Sequence, residues 1–215
     1  MDFDLMVRVF PFFLEAAWVT IEISVLALLL GLAMAVLGSA LRLSPMAPLR
    51  WIGTAYVSVF RGTPALIQLF ILFFGGPQVG IELSAFWAGV IGLGVNIGAY
   101  MTESMRGAIV AVERGQTEAA RSLGLSKFQN LKTVVLPQAA RLMIRPLGVN
   151  AVALIKGSAI VSTISVVELT YTAQRFIGST YKPFEMFIIA GLLYMIIVYG
   201  AAKLIDYLDR RNAIP

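Results

Sequence analysis

The chain contains no cysteine and no histidine. The first absence excludes disulfides, thiolate metal sites and cysteine nucleophiles; the second excludes imidazole relays. Charge is also scarce: Asp, Glu, Lys and Arg make up only 13% of the 215 residues, against roughly 25% in a soluble domain. Polar–apolar alternation with period two is missing, so no strand pattern competes with helix. No Gly-x-x-x-x-Gly-Lys-Ser/Thr occurs, so nothing can cradle phosphates as a P-loop does. Lys156-Gly157-Ser158 resembles the end of that motif but lacks the earlier glycine and lies in an apolar run. There is no linker, no low-complexity tract and no convincing internal repeat, which weighs against an inverted-repeat carrier. A cleavable leader is not expected. Asp2, Asp4 and Glu15 stand where a basic n-region belongs, and no small-residue cleavage pattern follows.

What remains is 59% hydrophobic, with a mean hydropathy of +0.84. Such a chain uses lipid as its solvent, and without strands its crossings are helices. The net charge of +5 reads as basic residues flanking the spans and not as a nucleic-acid surface. The expectation is an all-α integral membrane protein, one transmembrane domain over residues 1–215. At about 20 apolar residues per crossing, five spans fit near 17–41, 56–74, 85–109, 146–169 and 184–208. With the N-terminus outside, thirteen of the seventeen Lys and Arg residues fall on the inner side. Arg8, Arg175 and Lys182 fall outside, and Lys156 lies within the fourth span. The positive-inside rule then puts the C-terminus and the loop at about 113–138 in the cytoplasm.

That loop, between the third and fourth spans, is a polar, basic island between apolar blocks. Thr117 is placed to cap a short helix whose first turn holds Glu118, and Gly124 to end it in a left-handed conformation. A second segment is expected over 126–135, broken by Leu136-Pro137. Helix, turn and helix would lie along the membrane surface as an element suited to a partner's groove.

Glu118-Ala119-Ala120, Gly124, Val134, Leu136 and Pro137 resemble the EAA loop of ABC importer permeases, with Val134 where isoleucine is usual. Further matches are Arg61-Gly62-Thr63-Pro64, Ala99-Tyr100 with Glu103, Arg106-Gly107, Gly115-Gln116, Pro137-Gln138-Ala139, Pro146 with Asn150, and Glu168-Leu169. They resemble the polar amino-acid uptake subfamily, the histidine, arginine and glutamine type, over nearly the whole chain. The resemblance implies a coupling helix seated in the cleft of a separate ATPase. Glu118, Ala119, Ala120, Arg121 and Gly124 would be the coupling residues. It also implies a dimer of ATPase subunits that holds the ATP and magnesium. A second permease (homodimer or heterodimer), an extracytoplasmic solute-binding protein and a place in the bacterial inner membrane complete the picture. The chain would have no catalytic or metal site of its own. The cargo would be a polar amino acid or a derivative such as an opine; an ion-gradient-driven carrier is the alternative.

Polar residues at membrane depth are costly and point to function. Asn96, Tyr100 and Glu103 share one face of the third span at i, i+4 and i+7. In the fourth, Ser158, Ser162 and Ser165 form a second stripe, and Lys156 sits about 14 Å in from the inner end. Asn96, Tyr100, Glu103, Lys156, Ser158 and Ser162 are therefore the candidate solute pathway. Each also has a plainer reading: serines that bond back to a carbonyl one turn earlier, Glu103 paired with Arg106, and Lys156 pinned by a carboxylate. Gly157 stands where many carriers of cationic amino acids have an acidic or amide residue, which tilts the cargo towards neutral, acidic or opine-like solutes. Gly94 and Gly98 allow close helix approach, within the chain or between copies.

Overall fold

A computed structural model describes residues 1–212, which fold into helices joined by short turns. The first helix, α1 (Phe3–Leu43), has 41 residues. At 1.5 Å per residue it is about 60 Å long, twice the hydrocarbon thickness of a bilayer. It starts well before the expected 17–41 for two reasons. The Asp2 carboxylate caps it through the Leu5 N–H at 3.1 Å. Val9, Phe13, Ala16 and Ala17 also give the extension a buried face, and Pro11 is accommodated within it.

The expected second span, 56–74, is not one helix. Helix α2 (Ala47–Gly62) and helical segment α3 (Ala65–Val79) meet at a 104° bend. Pro64 supplies no N–H to continue α2 and holds Thr63 extended, at φ −121° and ψ 148°, as a residue before proline should be. Arg61-Gly62-Thr63-Pro64 therefore lies at the break between α2 and α3. Helix α4 (Ala85–Val110), capped by Ser84, agrees with 85–109.

A short helix, α5 (Arg114–Ser122), precedes α6 (Lys127–Ile164), which is continuous through Pro137 and Pro146. The expected break at Leu136-Pro137 is absent because a wider π-turn at Leu131–Val135 absorbs the proline ring. The fourth span thus begins far earlier than 146–169 and ends in a 3-10 turn at Ser158–Ile164. Helix α7 (Leu169–Thr180), unforeseen in the sequence, leads to α8 (Pro183–Asn212). The last helix extends the expected 184–208 at its C-terminal end.

Helices α1, α4, α6 and α8 are each long and apolar enough to cross a membrane, and the bent α2–α3 pair passes as a fifth crossing. Contacts set their directions. Ile23 approaches Gly89 and Gly31 approaches Gly94 and Gly98, so α1 and α4 run parallel. Gly89 also faces Val161, and Asn150 reaches Ser104, so α6 runs the other way.

At the α1–α4 seam the glycines of each helix receive side chains of the other: Ile97 on Gly31, Leu30 on Gly94 and Met34 on Gly98. A Cβ on Gly98 would lie 2.7 Å from Met34 Cβ, and one on Gly31 would lie 2.6 Å from Ile97 Cγ2. The small residues Gly94 and Gly98 thus serve packing within the chain. One apolar core gathers around this seam, including Ile23, Leu93, Met101 and Val161. A second binds the N-terminal part of α1 to α7 and α8 through Phe13, Leu169, Met186 and Ile189.

Candidate functional site

Two regions hold the polar residues singled out by the sequence. The first is the surface element formed by α5 and the start of α6. Helix α5 begins one residue after Glu113, without a side-chain cap. Thr117 lies inside it and accepts a bond from Asn130 Nδ2 at 3.3 Å. Gly124 takes φ +80°, and the Leu125 N–H reaches back to the Ala120 carbonyl at 3.1 Å, a Schellman-type return that closes the helix. Ser126 and Gln129 then form a capping box that starts α6.

The bond from Gln138 to Gln116, at 3.3 Å, ties the two helices together. Ala120 turns inward at 4% exposure, while Glu118, Ala119, Arg121 and Gly124 stay exposed. Beside them Leu123 and Phe128 are 81% and 71% exposed. Large apolar side chains flanked by Glu118, Arg121 and Lys127 make a surface that a partner groove can cover.

The second region is the α2–α3 bend. With no N–H on Pro64, the Phe60 carbonyl loses its helical donor. Two side chains replace it: Asn96 Nδ2 at 3.0 Å and Gln68 Nε2 at 3.1 Å. Asn96 also donates to Gln68 Oε1 at 2.9 Å, and Gln68 donates to Thr63 Oγ1 at 2.7 Å. One turn further along α4, Tyr100 lies beneath the Arg61 guanidinium, 5.2 Å from the ring centroid.

Asn96 and Tyr100 line a recess of about 270 Å³ between α4 and α6, with Ala65, Asn150, Ala153 and Gly157 among the other walls. Glu103 is not among its lining residues and forms the centre of an ion cluster. One carboxylate oxygen accepts Arg42 Nε at 3.1 Å and the other accepts Arg106 Nε and Nη2 at 3.0 and 2.9 Å.

The remaining candidates lie elsewhere. Ser158 and Ser162 bond to the carbonyls of Ile155 and Ala159, at 2.8 and 2.7 Å, and both are buried. The partners are three residues back because this turn is 3-10. Lys156 lines a different groove of about 590 Å³ between α6 and α8, with Arg145 and Asp206 also in its walls; Arg145 is paired to Asp209 at 2.8 Å.

Sequence reasoning missed several participants. Arg42 meets Glu103 across 61 positions, a separation that leaves no local signal. Gln68 was legible in principle, since Pro64 orphans a carbonyl that some donor must satisfy. Glu168, singled out in the sequence through the Glu168-Leu169 match but without its partners, caps α7 through the Tyr171 N–H at 2.8 Å and accepts the Tyr194 hydroxyl at 2.6 Å, closing the turn after Ile164.

Residues 27–214 match the family described as binding-protein-dependent transport system inner membrane component. The chain is 38% identical over 209 residues to a probable amino-acid ABC transporter permease protein of Bacillus subtilis (strain 168), covering 97% of this chain and 92% of that one. It is 34% identical over 215 residues to the nopaline transport system permease protein of Agrobacterium fabrum, covering 95% and 89%. A crystal structure of an amino acid ABC transporter with histidines superposes with a TM-score of 0.93 at 36% identity, covering 98% of this chain and 99% of that one.

Proposed function

The chain belongs to the binding-protein-dependent transport system inner membrane components, and from that membership we infer that it is the transmembrane permease subunit of an ATP-binding-cassette importer. Its cargo is a polar amino acid or an amino-acid derivative such as an opine. The family match carries this reading, because it spans both the surface element and the recess. The relatives' names favour ATP-driven import over an ion-gradient carrier. Energy comes from a dimer of ATPase subunits holding ATP and magnesium, since this sequence contains no P-loop. A second permease copy or homologue and an external solute-binding protein complete the assembly in the bacterial cytoplasmic membrane.

In this reading the α5 element is the coupling helix, on the cytoplasmic side. Glu118, Ala119, Arg121 and Gly124 meet the ATPase, and Ala120 anchors the helix to its own chain. Support for that side comes from the basic residues, which crowd the end where α1 finishes and α5 lies. Arg61 drops out of the tally because it sits at the bend, yet twelve of seventeen Lys and Arg residues still fall there. Solute passes the recess at Asn96 and Tyr100, with the Glu103 ion cluster towards the cytoplasm. Ser158 and Ser162 shape the turn at the outer end of α6. Lys156 faces the groove towards α8.

The test is the joint to the ATPase. Gly124→Asp places a side chain at φ +80°, and Glu118→Lys reverses a charge on the exposed face. Each should lower ATP-dependent uptake by roughly 5- to 150-fold, the span of typical coupling energies, with membrane levels unchanged. Wild-type uptake in both variants would remove α5 from the coupling role.

A further inference from the structure

We propose that the crook of the α2–α3 bend is a lipid site, filled by one acyl chain of a bilayer phospholipid. The two arms meet at a 104° bend, so they do not pack on each other along their lengths. Between them, over α4, lies a cavity of about 400 Å³, walled by Val59, Phe60, Ile67, Ile71, Ile91 and Val95 among others. Thr63 and Gln68 are the only polar side chains in its lining, and both are already bonded. Thr63 Oγ1 donates to the Val59 carbonyl at 2.7 Å, Gln68 Nε2 donates to Thr63 Oγ1 at 2.7 Å, and Gln68 Oε1 accepts from Asn96 at 2.9 Å. The cavity therefore offers a guest dispersion contact and no polar partner, which selects a hydrocarbon.

Val59, Ile67 and Ile71 are 54%, 48% and 66% exposed, so the crook opens outward. The exposed faces of α2 tell towards what. Ile52 and Val59 share one of them. Thr54, Ser58 and Arg61, also exposed, lie roughly 140° away round the helix. Polar groups on a membrane helix turn from lipid towards protein or water, so the side with the crook meets lipid. A neighbouring helix is too thick to enter. At about 10–12 Å across and about 5.4 Å in pitch, each turn takes roughly 420–610 Å³, more than the whole cavity. A single hydrocarbon chain fits. Bilayer tails are as apolar as the crook, so hydrophobicity gives no preference; contact with protein on several sides does. Phe60 and Gln68, which close the bend, belong to the same wall. A seated chain thus braces the joint from the lipid side. The inference stands on the membrane helices and is independent of the cargo.

The experiment places the intact permease–ATPase complex in phosphatidylcholine nanodiscs that include a phosphatidylcholine with a diazirine midway along one acyl chain. After irradiation, adducts are mapped by peptide mass spectrometry. Ile91 is half-buried in the cavity wall, while Ile52 is 57% exposed outside it. Label should reach Ile91 at least as strongly as Ile52. Val59→Trp and Ile67→Trp, one on each arm, narrow the crook and should each lower the Ile91 adduct roughly 5- to 10-fold, with Ile52 unchanged. A spin-label distance across α2 and α3 should shift when lipid is exchanged for detergent in wild type and hold in the tryptophan variants; an unchanged wild-type distance overturns the brace. Unfolding temperature checks folding, and the wild-type yields decide the matter if a variant does not assemble. The inference fails if Ile91 takes no label in wild type, or if neither tryptophan lowers it. It also fails if Ile67→Cys, in a chain otherwise free of cysteine, joins two permease copies through a disulfide, because a second copy then covers the crook.

Discussion

Replacing Asn96 and Gln68 with leucine, singly and together, tests whether the bend is locked by side chains. Asn96→Leu removes two bonds, those at 3.0 Å to the Phe60 carbonyl and 2.9 Å to Gln68 Oε1. Polar contacts between membrane helices average about 0.6 kcal/mol, so the single variant should lose about 1.2 kcal/mol. The Phe60 carbonyl keeps Gln68 as donor at 3.1 Å. Gln68→Leu leaves Asn96 on the same carbonyl but also removes the bonds to the Thr63 carbonyl at 3.1 Å and Thr63 Oγ1 at 2.7 Å, so its own loss should be larger. Only the double variant strips that carbonyl bare, and an unsatisfied buried acceptor costs a further ~1–3 kcal/mol. The Asn96–Gln68 bond is counted in both singles but lost only once in the double, so the double loss should exceed the sum of the singles by roughly 0.4–2.4 kcal/mol. Unfolding in detergent followed by fluorescence gives the three free energies, and a spin-label distance across α2 and α3 reports the angle. The angle should hold in each single variant and relax in the double. A double loss that does not exceed the sum of the singles, or a bend unchanged in the double variant, would refute the account.

Two further outcomes follow from the packing and the ion cluster. Gly98→Val places carbon 2.7 Å from Met34 Cβ and 2.8 Å from the Tyr56 hydroxyl, so overpacking should cost ~1–3 kcal/mol in the same unfolding assay; a neutral result would mean the α1–α4 seam can open. Glu103→Gln leaves Arg42 and Arg106 without their shared carboxylate. The cluster is partly exposed, so the loss should be about 1 kcal/mol and should shrink as salt is raised; insensitivity to ionic strength would contradict the pairing.

The spans were legible because hydropathy alone selects about 20 consecutive apolar residues, and α4 and α8 lie close to where that criterion puts them. It failed where a helix leaves lipid without ending. The N-terminal part of α1 includes Asp4, Arg8 and Glu15, which depress local hydropathy, while its buried face packs on α7 and α8. The start of α6 was missed because Pro137 reads as a breaker, and a π-turn that accommodates it has no compositional mark. In the loop, Gly124 and the capping residues Ser126 and Gln129 act over three or four positions and were within reach. The recess was half legible: helical spacing put Asn96 and Tyr100 on one face, but whether a polar group serves solute or scaffold depends on its partner. The partners Arg42, Phe60 and Gln68 come from other elements and could not be read from periodicity.

The glycine seam between α1 and α4 has a mechanical consequence. Side chains that interdigitate at a helix contact leave slack, since rotamers can yield before the backbones shift. Where Ile97 seats on Gly31, Leu30 on Gly94 and Met34 on Gly98, those side chains have little room to change rotamer, and the two helices are joined almost as one stiff strut. A push delivered near Arg42 and Glu103 must then arrive undiminished at the far end. Any strain in the subunit collects at the places built without such contact: the bend at Thr63–Pro64 and the short turn between Ile164 and Leu169.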